Sequence, residues 1–172
     1  MSRKNYNRNK VLTIVILSFI TGTLDAIAAI IIGYPSGPDM VFKYIASGFF
    51  GRAAFIEDHM VLWGVFFHYL IATAFSIGFW VIYPKFKIGL KNKYFIGVVF
   101  GLMTWVVMNF AVLPLTEVAK QPEHASINIS LIIKSIAALI ICVGLPAAII
   151  SDIYYTQKAR RAARRRVRNH YS

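Results

Sequence analysis

The chain has 172 residues, 58% of them hydrophobic, and a mean hydropathy of +0.60. Soluble domains are nearer to about 45–50% apolar, so this composition excludes an ordinary soluble fold and indicates a membrane protein. The formal net charge is +12, but the basic residues lie between and beyond apolar runs, which is typical of membrane topology rather than nucleic-acid binding. The single cysteine, Cys142, excludes an intramolecular disulfide and a cysteine-based metal site.

The first apolar run, residues 11–32, follows a short basic segment and is long enough to span a bilayer. A cleaved signal peptide is the competing interpretation, because Ala26-Ile27-Ala28 resembles a cleavage site. The apolar stretch continues past that triplet, which favours a retained span. The run also contains Asp25, a carboxylate that costs about 2.5 kcal/mol or more at mid-bilayer.

A cluster of glycine and proline at 33–39 ends this span and predicts a turn. The following segment, 40–55, is only moderately apolar, because Lys43, Gly51 and Arg52 interrupt it. It is too short and too polar to cross a membrane. We predict a short interfacial or re-entrant helix here.

Apolar runs at 60–83, 94–115 and 129–150 predict three further spans. The sequence therefore predicts an all-α membrane protein: a bundle of four transmembrane helices, with the short helix between the first and second. Residues 1–10 form a basic N-terminus, and residues 151–172 form a basic tail.

The distribution of lysine and arginine predicts the orientation. Four precede the first span, four lie in the 84–93 loop, seven lie in the tail, and three lie on the opposite side. By the positive-inside rule, both termini are cytoplasmic. The tail has no accompanying fold, so it is expected to contact anionic lipid headgroups rather than nucleic acid. Its arginines are Arg160, Arg161, Arg164, Arg165, Arg166 and Arg168.

Each predicted span carries one strongly polar side chain about 7–12 Å inside its outer end: Asp25, His68, Asn109 and Lys134. Arg52, on the short segment, reaches a similar level. Because buried charges are tolerated when paired, Asp25 is expected to pair with Arg52 or Lys134. His68 can bridge such a pair as a hydrogen-bond donor or titrate near neutral pH.

Two interpretations of this polar layer remain open: it fixes helix register without a ligand, or it forms a pathway for a solute or protons. A metal or haem site is not expected, because no second intramembrane histidine is present. No cofactor is expected. The sequence lacks a nucleophile–base spacing, a phosphate loop and paired catalytic carboxylates, so it is not expected to be an enzyme.

Several of these segments together resemble a family of small uncharacterised bacterial inner-membrane proteins, the YagU-like proteins. They are Gly22-Thr23-Leu24-Asp25, the run from Ile45 to Phe55, Phe67-His68-Tyr69-Leu70-Ile71-Ala72 and the run from Val107 to Leu115. The resemblance implies a four-helix plasma-membrane protein of undefined activity. It marks Asp25, Arg52, His68, Asn109 and Pro114 as motif positions, and it does not extend to Lys134 or the tail.

The sequence thus predicts a small integral inner-membrane protein with a polar intramembrane site that passes or senses protons or a small solute. The alternative is a structural or accessory membrane subunit whose polar layer only fixes packing. The expected partners are the bilayer and anionic headgroups. The sequence is also compatible with a homo-oligomer or a second membrane protein as partner.

Overall fold

The structure is a computed structural model that describes residues 3–33, 36–117 and 128–170. Nearly all of these residues are helical, and no strand occurs among them. Within these ranges, four helices are long and apolar enough to cross a membrane: Lys10–Ile32, Met60–Gly89, Lys93–Leu115 and Ile129–Arg164. The predicted all-α architecture with four membrane-length helices is therefore confirmed. Parts of the predicted 33–39 turn and most of the polar loop after 115, with Lys120, lie outside the described residues.

The helices are labelled in chain order: α1 Arg3–Ile32, α2 Gly37–Phe50, α3 Met60–Gly89, α4 Lys93–Val107, α5 Ile129–Ala138 and α6 Leu145–His170. A short 3-10 turn, Gly51–Phe55, follows α2. Gly51 joins the two with a φ of +60°, a backbone conformation that favours glycine. The short segment predicted over 40–55 is thus a helix that begins earlier than expected and ends in this turn.

Asparagine side chains cap the starts of α4 and α5. Oδ1 of Asn92 accepts a hydrogen bond from the backbone N–H of Tyr94 at 2.9 Å. Oδ1 of Asn128 accepts one from the backbone N–H of Leu131 at 3.2 Å. Such caps satisfy backbone donors that have no partner inside the helix. The helix starts predicted at 94 and 129 lie at or beside the observed ones.

Helices α1, α3 and α6 extend beyond the apolar runs that predict them. Helix α1 begins at Arg3, and α3 continues past Pro84 to Gly89. Helix α6 includes most of the basic tail and ends at His170. Apolar runs mark the stretch suited to the bilayer, whereas the backbone hydrogen bonds of a helix continue into polar sequence. A proline removes one donor and does not by itself end a long helix that is held by packing.

The described helices contain two wider, π-helical stretches: Met108–Val112 after α4, and Leu139–Gly144 between α5 and α6. A 3-10 turn, Leu113–Leu115, follows the first. A proline follows each π stretch, Pro114 or Pro146, and its ring clashes with the carbonyl four residues earlier. That carbonyl lies inside the π stretch in both cases. The wider turns therefore occur where proline disrupts the helical hydrogen bonds, and such turns are frequent at functional sites.

Glycines allow the helices to approach closely. A Cβ on Gly101 of α4 would lie 2.6 Å from the Cα of Ile140, in the stretch Leu139–Gly144. A Cβ on Gly22 of α1 would lie 3.1 Å from the ring of Tyr69 on α3. Close backbone approach is a main source of packing energy between membrane helices, since lipid tails are as apolar as the side chains.

Helix α2 packs against the first half of α3. Gly64 of α3 lies against the backbone of Phe42, so no side chain separates the two helices there. Beside this contact, the rings of Phe49 and Phe67 stack with centroids 3.8 Å apart, and Trp63 packs near them. The short helix is therefore anchored to α3 by backbone contact and by aromatic rings.

The closely packed core fills the half of the bundle that carries the α3–α4 connection and the basic tail. Its buried residues are Leu17, Phe79, Trp80, Tyr83, Ile96, Phe100, Val143, Ala147 and Ala148. We call this the packed half. The other half, which carries the α1–α2 linker, is called the open half, because it encloses the cavity described below.

A polar cluster ties α3 to α6 at the end of the packed half. The carboxylate of Asp152 forms an ion pair with Lys87 and accepts a hydrogen bond from the hydroxyl of Tyr83 at 3.1 Å. The hydroxyl of Tyr155 donates to the carbonyl of Trp80 at 3.1 Å. Aromatic side chains with polar tips are typical of the membrane–water interface.

Candidate functional site

A cavity of about 850 Å³ occupies the open half of the bundle. The membrane-length helices and α2 all contribute to its wall, and most lining side chains are apolar. The polar residues that reach it are Thr21, Asp25, Ser36, Tyr44, His68, Thr104, Trp105, Asn109 and Ser135. A concave, mostly apolar space with a few polar groups has the general form of a small-molecule site.

Asp25 lines the cavity from α1, one helical turn from Thr21 and from Ala29, which also line it. No hydrogen bond or ion pair joins its carboxylate to another residue of the described ranges. His68 lines the same cavity and is bonded to the carbonyl of Gly22, three residues before Asp25. A carboxylate at this depth is unfavourable unless it is solvated, protonated or paired with a ligand.

His68 lies on α3 with its side chain buried, and its Nε2 is 2.8 Å from the carbonyl oxygen of Gly22. A carbonyl can only accept, so Nε2 carries a proton and donates it. This bond orients the ring and leaves Nδ1 as the acceptor of the neutral form. It also ties α3 to α1 within one turn of Asp25.

Asn109 lies in the π stretch after α4 and completes a hydrogen-bonded wall. Its Nδ2 donates to the carbonyl of Trp105 at 2.9 Å, which leaves Oδ1 as an acceptor. The indole N–H of Trp105 donates to Oγ of Ser135 at 3.0 Å. The second of these bonds links α4 to α5 on the cavity wall.

The ion pair predicted for Asp25 is not formed. The side chains of Arg52 and Lys134 are exposed, neither lines the cavity, and no ion pair connects these described residues with Asp25. Lys134 directly precedes Ser135, and successive side chains of a helix diverge by about 100°. Because Ser135 lines the cavity, Lys134 points away from it. Arg52 lies in the turn after Gly51, where the chain leaves the direction of α2.

Three of the predicted polar residues thus line one cavity: Asp25, His68 and Asn109. Their action as a functional site stays a prediction. Of the tail arginines, Arg160 and Arg164 have exposed side chains. The side chains of Arg161, Arg165, Arg166 and Arg168 lie outside the described part. Within that part, no group of three His, Cys, Asp or Glu residues is placed to hold a metal ion.

An ion pair lies at the rim of the open half. Nζ of Lys43 on α2 is 2.9 Å from Oδ1 of Asp58, which lies just before α3. The hydrogen bond and charge of the Lys43 ammonium hold the pKa of the Asp58 carboxyl below its usual range. Tyr44 lines the cavity, and burial raises the pKa of its phenol. At neutral pH the Asp58 carboxyl is therefore ionised and the Tyr44 hydroxyl is protonated.

Sequence reasoning missed several polar residues of the lining, among them Thr21, Trp105 and Ser135. A signal for two of them is present in the sequence. Thr21 lies four residues before Asp25, and Trp105 lies four residues before Asn109. Residues four apart lie on the same face of a helix. Asp25 and Asn109 therefore indicate that Thr21 and Trp105 face the same cavity.

Comparison with known proteins adds no relative. No family model, curated protein or solved structure matches the chain. What the protein does is therefore inferred from the geometry of its cavity.

Proposed function

We propose that the chain is a multi-pass protein of a bacterial inner membrane, related to the YagU-like proteins, with both termini in the cytoplasm. The four membrane-length helices among the described residues support the multi-pass placement. The basic residues of the N-terminus, the 84–93 loop and the tail support the orientation. In this placement, the open half faces the outer side, and the arginines of α6 contact anionic headgroups of the inner leaflet.

The short helix α2 is proposed to lie at the outer interface, or to dip part-way into the membrane, without crossing it. Its 14 residues would extend about 21 Å, less than the thickness of the hydrocarbon core. The ion pair between Lys43 and the exposed Asp58 suits a position near water. In this position α2 forms the rim of the cavity.

We infer that the cavity binds a small solute from the outer side, and that the protein passes or senses that solute or the proton that accompanies it. The observation that carries this inference is the unpaired carboxylate of Asp25 in the wall of an 850 Å³ cavity that His68 also lines. An intramembrane ionisable group facing a cavity generally marks a ligand or ion pathway. The π stretch that holds Asn109 supports the same conclusion.

The alternative is a structural or accessory subunit. Two hydrogen bonds favour it, because both fix the register of α1 against α3. They are the bond from His68 to the Gly22 carbonyl at 2.8 Å and the bond between the hydroxyls of Thr23 and Tyr69 at 2.8 Å. In this case the polar layer contributes packing specificity alone, and the cavity is filled by lipid.

Access of water to the cavity distinguishes the two functions. In a Cys142→Ala background, single cysteines replace Asp25, Ile27 or Ala29, and intact cells are treated with a membrane-impermeant thiol reagent. Asp25 and Ala29 line the cavity, whereas the side chain of Ile27 is exposed on the outside of the bundle, where lipid would cover it. The solute-binding function predicts labelling at positions 25 and 29 and protection at position 27.

Position 27 serves as the control for depth in the membrane. Position 25 is deeper than position 27 along α1, so labelling of 25 but not 27 reflects a cavity rather than nearness to the surface. Protection of both 25 and 29, with a folded protein, would reject an outward-open site and support the structural alternative. Labelling of position 27 as well would show that α1 is not in the membrane at this depth.

A further inference from the structure

We propose that the cavity binds an amphiphilic cation: a molecule whose ammonium group pairs with Asp25 and whose hydrocarbon chain lies against the apolar wall. This inference rests on the proposed function of the same cavity, and it names the chemical class of the ligand.

The charge of the lining argues for a positively charged head group. Asp25 supplies a carboxylate, and no lysine or arginine is among the described residues that line the cavity. Nε2 of His68 is already bonded to the Gly22 carbonyl. A bound ammonium group would neutralise the carboxylate in surroundings of low dielectric, where opposite charges attract strongly. A negatively charged head group would be repelled there.

The size and composition of the cavity argue for an organic ligand rather than a hydrated metal ion. A volume of about 850 Å³ is in the range of sites for drug-sized molecules. The aromatic side chains of Tyr44, Phe75 and Trp105 are part of the lining. Aromatic faces attract organic ammonium groups and also contact hydrocarbon. No cluster of metal-ligating side chains is present in the described ranges.

A smaller cavity provides space for a hydrocarbon chain. It measures about 370 Å³, lies between α3 and α4, and shares Ile71, Phe75 and Thr104 with the main cavity. Thr104 is the one polar residue in its described lining. Met103 and Val107 line it and are partly exposed on the outside of the bundle, where acyl chains would surround them in a membrane. A chain leaving the main cavity past Phe75 would therefore stay in apolar surroundings.

Fluorescence of Trp105 tests the proposal. In a Trp63→Phe, Trp80→Phe background, Trp105 is the remaining indole, since the chain has three tryptophans. The protein is placed in phosphatidylcholine nanodiscs and titrated with 12-bromododecyltrimethylammonium, whose bromine quenches indole fluorescence. The uncharged analogue 12-bromododecanol, at equal mole fraction in the bilayer, is the control ligand. We expect saturable quenching by the cation, and an apparent affinity for the alcohol at least about tenfold weaker.

Matched variants then test the role of the carboxylate. Asp25→Asn should weaken binding of the cation by about tenfold or more and leave quenching by the alcohol unchanged. Asp58→Asn removes a carboxylate outside the cavity and should change neither. Asp25→Asn could change the fold as well as the ligand site, so a second measurement uses the unsubstituted protein: its melting temperature with and without each ligand. The cation should raise it, and the alcohol should not.

Equal affinity for cation and alcohol, or undiminished cation binding in Asp25→Asn, would overturn the proposal. Failure of this proposal can be distinguished from failure of the proposed function, because thiol labelling tests the function independently. Labelling at positions 25 and 29 together with equal binding of both ligands would reject the ligand class and leave the outward-open site in place. Protection of those positions would reject the proposed function itself.

Discussion

Replacement of Gly101 with alanine perturbs the contact between α4 and the π stretch Leu139–Gly144. A Cβ at this position would lie 2.6 Å from the Cα of Ile140 and 2.9 Å from its backbone nitrogen. Carbon atoms in good van der Waals contact are about 3.5–4.0 Å apart, so the helices would have to separate by about 1 Å. Because these two atoms belong to the backbone, rotation of the Ile140 side chain cannot relieve the clash.

The expected loss of stability follows from two opposing effects. Overpacking of a well-packed interior costs about 1–3 kcal/mol. Alanine gains about 0.5–1 kcal/mol over glycine in the interior of a helix. Gly101→Ala should therefore lower the free energy of unfolding by about 0–2.5 kcal/mol, with a central value of about 1 kcal/mol. A separation of 1 Å would also loosen the wall of the cavity next to the π stretch.

Gly78→Ala is the matched control, because no neighbouring helix of the described part has an atom within 4 Å of a Cβ at this position of α3. It should leave stability unchanged or raise it by up to about 1 kcal/mol. Unfolding of both variants is followed by circular dichroism in mixed micelles as the fraction of sodium dodecyl sulfate rises. If Gly101→Ala is as stable as Gly78→Ala, α4 does not pack against Ile140 as described.

Two further predictions concern the ends of the bundle. Asp152→Asn should lower the free energy of unfolding by about 1 kcal/mol, because the Asp152 carboxylate of α6 bonds to Lys87 and Tyr83 of α3. The double variant with Lys87→Gln should lose less stability than the sum of the two single losses. Full additivity would show that the pair is not formed. The orientation of the helices is tested by thiol labelling in intact cells. Single cysteines at positions 5 and 165 should be protected from an impermeant reagent, and one at position 121 should be labelled. Labelling of position 5 from outside would reverse the proposed topology.

Sequence reasoning predicted the depth of the polar residues but not their direction around each helix. Depth follows from counting along an apolar run, since each residue rises about 1.5 Å. Asp25, His68 and Asn109 were placed at one level in this way, and all three line one cavity. Lys134 has the same depth, yet it points away because the rotation of α5 is set by packing against other helices. The predicted pairing of Asp25 with Lys134 failed for this reason, and the pairing with Arg52 failed because Arg52 lies in the turn after α2.

The starts of the helices were more predictable than their ends and interiors. Asparagine caps and changes from polar to apolar sequence mark the starts of α4 and α5. The π stretches depend on prolines together with close packing at Gly101, and the sequence alone shows only the prolines. The cluster at Asp152 was missed because α6 continues as helix past the apolar run, into sequence that was interpreted as a tail.

The division of the bundle into a packed half and an open half also depends on tertiary structure. Both halves have apolar sequence, and nothing in composition separates the residues around Phe79 from those around Phe75. The difference lies in which side chains meet inside the bundle. In the packed half aromatic side chains fill the interior, whereas in the open half the wall carries several small residues, among them Ala29 and Ala72. The volume of such a cavity depends on how the side chains of several helices pack together.

The central claim is that Asp25 faces a cavity that holds solvent or a ligand in the open half of the bundle. The most direct measurement is an electron cryomicroscopy structure of the protein in lipid nanodiscs, at a resolution that shows ordered water. We expect density for water or a small molecule within hydrogen-bonding distance of the Asp25 carboxylate, with the His68 ring beside it. An Asp25 side chain directed at lipid, or acyl chains that fill the cavity and leave no polar density at the carboxylate, would contradict the claim.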